Sequence, residues 1–115
     1  MVKNKSNSLS HPELLILKSL QTGQRRYGLE IRSAIEVSFG RRFNFSSLYP
    51  KLDLLEAKGY VKSEEGEDIL KKRANSRRKY FTITAEGTEA LDEWEKSFNA
   101  VSEYQLSQQP AFQGA

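Results

Sequence analysis

The sequence predicts a small α+β domain, mainly helical: three short helices, a two-stranded hairpin and one long helix toward the C-terminus. Three observations predict it. Apolar residues recur at helical spacing in three segments before Gly59, two separated stretches after it alternate in the strand period, and a seam stepping by three and four residues follows Thr84. The 115 residues, 37% hydrophobic and 29% charged, fit a single domain, since domains commonly run to roughly 100–150 residues.

Residues 1–8 are polar and without periodicity and are expected to form a disordered arm. Ser10 is the candidate N-cap of a first helix entered through His11, Pro12 and Glu13 and running to about Gln21. Leu14, Leu15, Ile16 and Leu17 are consecutive and, with Leu20, spread apolar surface over more than one face. One face suits the core, and the other is expected to meet something else. A turn at Thr22 to Arg26 leads to a second helix over about Tyr27–Phe39, with Ile31 and Ile35 on one side and Gly40-Arg41-Arg42 at its end.

The third helix contains a proline. Leu48, Leu52 and Leu55 lie at i, i+4 and i+7, Gly59 marks a stop, and Pro50 lies between them. If Ser46 or Ser47 is the N-cap, Pro50 occupies the third or fourth helical position, where its missing amide would have little or no intrahelical work. The helix then begins at the serines. Its first turn would present free amides, two hydroxyls and the Tyr49 phenol, while the leucines anchor it from behind.

Tyr60–Glu65 and Arg78–Thr84 read as a hairpin, with Phe81 and Ile83 on one side and Tyr80 and Thr82 on the other. Their connection is much longer than an ordinary hairpin turn and carries Lys71, Lys72, Arg73, Arg77 and Arg78. Thr84 can cap a last helix from Ala85 to about Gln105, and residues 106–115 are expected to be a disordered tail. The order helix, helix, helix, strand, strand, helix, with a basic loop between the strands, is that of a winged helix-turn-helix. The expected division is a winged domain at 9–84 and a dimerisation helix at 85–105.

The charge is uneven. Residues 1–84 hold 17 Lys and Arg against 9 Asp and Glu, whereas residues 85–115 hold 1 against 6. A basic body suggests a polyanion, and the acidic segment cannot lie along the same phosphates. The absence of cysteine excludes disulfides and thiolate chemistry. With one histidine, His11, no metal-ligand cluster and no nucleophile–base pair is readable, so catalysis is not expected. The acidic run Glu64, Glu65, Glu67 and Asp68 reads as solvation. No signal peptide or spanning segment is apparent, and a cytoplasmic protein without membrane contact is the expectation.

Ser47-Leu48-Tyr49-Pro50, then Leu52, Leu55-Glu56, Gly59-Tyr60-Val61, Arg78-Lys79-Tyr80-Phe81, and Thr84 with Gly87 resemble the PadR family of transcriptional regulators. Tyr27-Gly28 with Glu30-Ile31 is similar to the family's second-helix opening, and the resemblance covers residues 9 to 105. The single terminal helix resembles the short members, among them a clock-associated cyanobacterial form. The resemblance implies a homodimeric repressor on a roughly palindromic operator in double-stranded DNA, without a cofactor. Carried over by position, Tyr27, Ser46, Ser47 and Tyr49 would contact DNA from the helices, and Arg77, Arg78 and Lys79 from the wing. Lys51 and the loop cations Lys71, Lys72 and Arg73 complete the candidate contacts. Two positions depart from the family pattern. Asp53-Leu54 stand where many relatives carry a cation, and Asn75-Ser76 where they often carry Gly-Arg.

Leu91, Trp94, Phe98 and Val101 form an a/d seam on the last helix, with Glu86, Glu89, Asp92, Glu93 and Glu95 around it. A helix of that length spans about 30 Å, more than a small wing domain covers. Half of the seam therefore calls for a second chain, and the first helix, through Leu14 and Leu15, is the expected complement. Some relatives admit planar aromatic effectors at this interface, so Trp94 is also a candidate effector contact. The competing reading is a winged-helix module that docks protein and binds no specific DNA.

Overall fold

The computed structural model describes residues 8–39, 47–67 and 77–113, and for residues 39, 67, 77 and 105–113 the description covers the backbone alone. The elements are α1 (His11–Ser19), β1 (Arg26–Tyr27), α2 (Gly28–Phe39), α3 (Leu48–Ala57), β2 (Val61–Glu67), β3 (Arg77–Ile83) and α4 (Ala85–Gln113). The fold is the mainly helical α+β winged helix that the element order implies.

Ser10 caps α1 as the sequence suggests. Its backbone N–H donates to Glu13 Oε1 at 2.8 Å, and the Glu13 N–H donates to Ser10 Oγ at 3.4 Å, a reciprocal capping box that satisfies two otherwise orphaned donors. Glu13 is buried, and its Oε2 faces Lys58 Nζ at 3.3 Å, which ties the start of α1 to the end of α3. Burial works to raise the Glu13 carboxyl, but the Ser10 amide and the Lys58 ammonium outweigh it and hold the group below its ordinary value.

The three helices pack around Leu14, Ile16, Leu17, Leu20, Ile31, Ile35, Leu48, Leu52 and Leu55, with Tyr60, Val61 and Phe81 closing the core from the sheet. The apolar spread of α1 has a simpler cause than a partner chain: α1 contacts α2, α3 and α4, so most of its circumference is interior. Leu14 is accordingly buried in the chain's own core, which removes it from the expected dimer face, whereas Leu15 is half-buried at the edge of that core.

Gly59, at φ +83°, ends α3. The Tyr60 N–H reaches Leu55 O at 2.9 Å and the Gly59 N–H reaches Glu56 O at 3.0 Å. These two bonds are a Schellman stop, which needs the left-handed residue that glycine supplies most cheaply. Tyr60 then enters β2.

β2 and β3 are antiparallel from Val61↔Ile83 to Glu67↔Arg77. The expected two-stranded wing is three-stranded, in the order β1-β3-β2, because Arg26 and Tyr27 pair with Phe81 and Tyr80. A two-residue strand shows no period in the sequence, and only its ladder on β3 reveals it. Phe81 and the half-buried Ile83 face the core, while Tyr80 and Thr82 take the opposite side, as alternation requires.

Thr84 caps α4: the Gly87 N–H donates to its hydroxyl at 3.0 Å, and that hydroxyl donates to Gly59 O at 2.6 Å. The backbone of α4 continues to Gln113, past the expected stop near Gln105, and the sequence between Gln105 and Pro110 contains no glycine or proline to end it. Among the described residues, no helix is long and apolar enough to cross a membrane, and no group of three or more His, Cys, Asp or Glu could hold a metal ion.

Candidate nucleic-acid interface

The candidate interface begins at the first turn of α3. Ser47 is the N-cap, Leu48 the first helical residue and Pro50 the third. The first amide bonded back along the helix is that of Lys51, which donates to Ser47 O at 3.2 Å, so the amide that proline lacks is one a helix start leaves unbonded anyway. The Ser47 hydroxyl makes no capping bond. Leu48, Leu52 and Leu55 are buried, and Ser47, Tyr49 and Asp53 are exposed on the other side, with 54% of Tyr49 accessible. Lys51 is half-buried. The carboxylate of Asp53 therefore shares the outward arc with Tyr49, as the helical spacing implies.

Tyr49 does not stand alone. A Cβ built on Gly28 would meet the Tyr49 phenol oxygen and lie 2.6 Å from its Cζ, so the end of the Tyr49 ring would have to move to admit any other side chain there. The residue before it, Tyr27, is on β1. The Arg78 guanidinium lies 3.9 Å over the Tyr27 ring, and the Tyr27 and Tyr80 rings meet edge to face at 5.8 Å and 88°. Arg25 covers Tyr80 at 4.0 Å and pairs with Glu64 at 3.1 Å. The outer face of the sheet is thus a pair of touching tyrosines with an arginine over each, in the order Arg25, Tyr80, Tyr27, Arg78. Gly66 fits the same pattern, because a Cβ there would lie 2.8 Å from the Tyr80 ring.

The structure brings Tyr27, Tyr49 and Arg78 into one region. Lys79 is exposed, but its Nζ lies 5.7 Å from the Phe81 ring on the opposite face of the strand, so adjacent wing cations diverge. Arg77 opens β3, with its backbone alone described. Ser46, Lys71, Lys72 and Arg73 fall outside the described residues. The sequence reading missed Arg25, Gly28, Glu64 and Tyr80. A glycine directly after an aromatic at a helix start was the one available signal, and the cation–ring pairs became visible only with the strand register.

Away from this region, Leu91 is buried against the chain's own core and leaves the expected seam. Trp94, Phe98, Val101 and Tyr104 remain exposed, and Trp94 stacks on Phe98 at 5.0 Å and 15°. A groove of about 300 Å³ between α1 and α2, with Leu15, Lys18, Arg26, Ala34, Ile35 and Ser38 in its walls, does not include Trp94.

Several solved structures have a similar fold. The chain is similar to a PadR family transcription regulator from Clostridium difficile R20291 (24% identity, 85% of this chain and 97% of that one, TM-score 0.66). It is also similar to a PadR-like transcriptional regulator from Bacillus cereus (24%, 84% and 89%, 0.65) and a transcriptional regulator from Clostridium thermocellum (26%, 88% and 89%, 0.57). No curated protein matches, and a clock-associated identity is not supported. Residues 16–93 match the transcriptional regulator PadR-like family. Because that stretch runs from the core of α1 through the first turn of α3 and the wing to the start of α4, the chain belongs to the PadR-like family, whose members are transcriptional regulators and not enzymes.

Proposed function

We propose that this chain is a sequence-specific double-stranded DNA-binding regulator that acts as a homodimeric repressor on a roughly palindromic operator. The observation that carries this reading is the convergence of the α3 first turn and the wing through Tyr49, Gly28, Tyr27 and Arg78. In helix-turn-helix proteins the start of the second helix of the motif enters the major groove and reads base edges, while neighbouring cations engage the phosphates. Ser46, Ser47 and Tyr49 are assigned to the groove, and Lys51, Arg77, Arg78 and Lys79, with the loop cations Lys71, Lys72 and Arg73, to the backbone. Asp53 on the same arc favours a cytosine amino group over a phosphate.

The exposed run of Trp94, Phe98, Val101 and Tyr104 supports association through α4, with Leu15 at the rim of the α1–α2 groove as its complement. Exposed aromatics at helical spacing are costly in a monomer and useful at an interface. Repression follows from occupying a promoter, and a planar aromatic effector stacked on Trp94 would act at this interface. The location is the cytoplasm, where its DNA is.

The test is a mobility shift of the pure protein on DNA covering its own upstream region, at two salt concentrations and with competitor DNA. A shift that survives competitor and a symmetric footprint are expected. Arg78→Ala should weaken binding to every sequence and reduce the salt slope by about 0.9 for each phosphate left without its cation. Tyr49→Ala should change sequence preference instead. Absence of any binding at low salt would replace this reading with protein docking.

A further inference from the structure

Tyr27 and Gly28 are consecutive, and between them they touch both candidate DNA-contacting elements. Tyr27 is fixed three ways. It pairs in the sheet with Tyr80, its N–H donates to Glu30 Oε1 at 3.1 Å, and its ring meets the Tyr80 edge. One face of that ring carries the Arg78 guanidinium at 3.9 Å. Gly28 begins α2, and the Tyr49 ring fills the place where any other side chain would start. A dipeptide that belongs to the sheet on one side and to α2 on the other therefore contacts both an arginine of the wing and the tyrosine of α3.

We infer that Tyr27 and Gly28 are positioning residues that set the register between the recognition helix and the wing, Tyr27 as a shelf for Arg78 and Gly28 as a seat for Tyr49. This rests on the DNA-binding reading and changes the role of Tyr27, which acts through Arg78 and not through its own hydroxyl. The two elements must meet a groove and a backbone whose separation DNA fixes. The ring contact narrows the rotamers that a long arginine side chain otherwise samples.

The experiment uses duplexes that the wild-type protein enriches from a random pool. Tyr27→Phe, which keeps the ring, should bind them within about twofold of wild type, and Tyr27→Leu should bind about two- to fivefold more weakly, the range expected of an exposed cation–ring pair. That difference should vanish in an Arg78→Ala background. Gly28→Ala should reduce the ratio of selected to unrelated DNA affinity by about tenfold, as removal of a base-reading side chain does, and should weaken binding little further in a Tyr49→Ala background. If Gly28→Ala alone does not fold, the double variant, from which the colliding ring is gone, should fold.

Equal weakening by Tyr27→Phe and Tyr27→Leu would assign the DNA contact to the hydroxyl and overturn the shelf. Additive effects of Gly28→Ala and Tyr49→Ala, or a double variant that also fails to fold, would overturn the seat. A wild-type protein that enriches no sequence would instead sink the DNA-binding reading beneath both.

Discussion

The two halves of α4 have the same apolar spacing and opposite surroundings. In the first, Ala90 and Leu91 are buried against the winged domain, with Leu91 only 3% exposed. In the second, Phe98 and Val101 are 63% and 62% exposed, and Tyr104 follows them. The helix leaves the domain between these sets. Periodicity identifies the face a helix will bury, but it does not say whether the covering surface belongs to the same chain. Here the change comes at Trp94, where Glu95 still pairs with Lys18 of α1 while the indole already stacks outward on Phe98.

Truncation at the two sites should have different consequences. Leu91→Ala should cost about 2–5 kcal/mol of folding stability in urea titrations, since it leaves a cavity beneath α1 and β3. Phe98→Ala should weaken self-association by about tenfold or more in sedimentation equilibrium. At dilutions where the wild-type protein is monomeric, the unfolding midpoint of Phe98→Ala should match that of wild type. A lowered midpoint there would mean that the far half of α4 folds back on its own domain and that the contrast is not one of partners.

A pH series tests what the near half rests on, because α1 is held at its start by Glu13. The folded-state Glu13 carboxyl is depressed by the Ser10 amide and Lys58 despite its burial. Its contribution to stability is therefore complete above the ordinary carboxylate value of 4.5 and is lost as pH falls through the lower folded value. The stability gap between wild type and Glu13→Gln should be constant at neutral pH and should close under acid, as read from urea midpoints. A gap independent of pH would mean that the ion pair with Lys58 does not stabilise the fold. The smallest effect is expected of Lys18→Ala, within about 0.5 kcal/mol, because its pair with Glu95 is solvent-accessible.

Much of the fold was legible because it depends on local rules. Ser10 with Glu13 signalled a helix start, Gly59 a helix stop and Thr84 another start, and all three are seen. Leu48, Leu52 and Leu55 indicated the inner face of α3, and Pro50 fits because it falls where a helix start leaves amides unbonded. The candidate interface was legible in part. Tyr49 and Arg78 were identifiable by type and place, but their supports were not. Arg25 meets the Tyr80 ring only because Arg26 and Tyr27, which follow it, pair with the distant β3, and Gly28 matters because of a ring that belongs to a residue 21 positions later.

By itself the sequence determined where α1, α3 and α4 begin and where α3 stops, the strand faces and the basic body opposed to an acidic helix, because capping, alternation and charge act between near neighbours along the chain. Only the tertiary structure decided that β1 joins the wing, that α1 is surrounded by its own domain, that Leu91 lies inside while Phe98 lies outside, and that Tyr27 and Gly28 meet Arg78 and Tyr49. The reason is physical. A periodic pattern fixes which side of an element is apolar, whereas the identity of its neighbour depends on contacts between residues far apart in sequence, which packing selects.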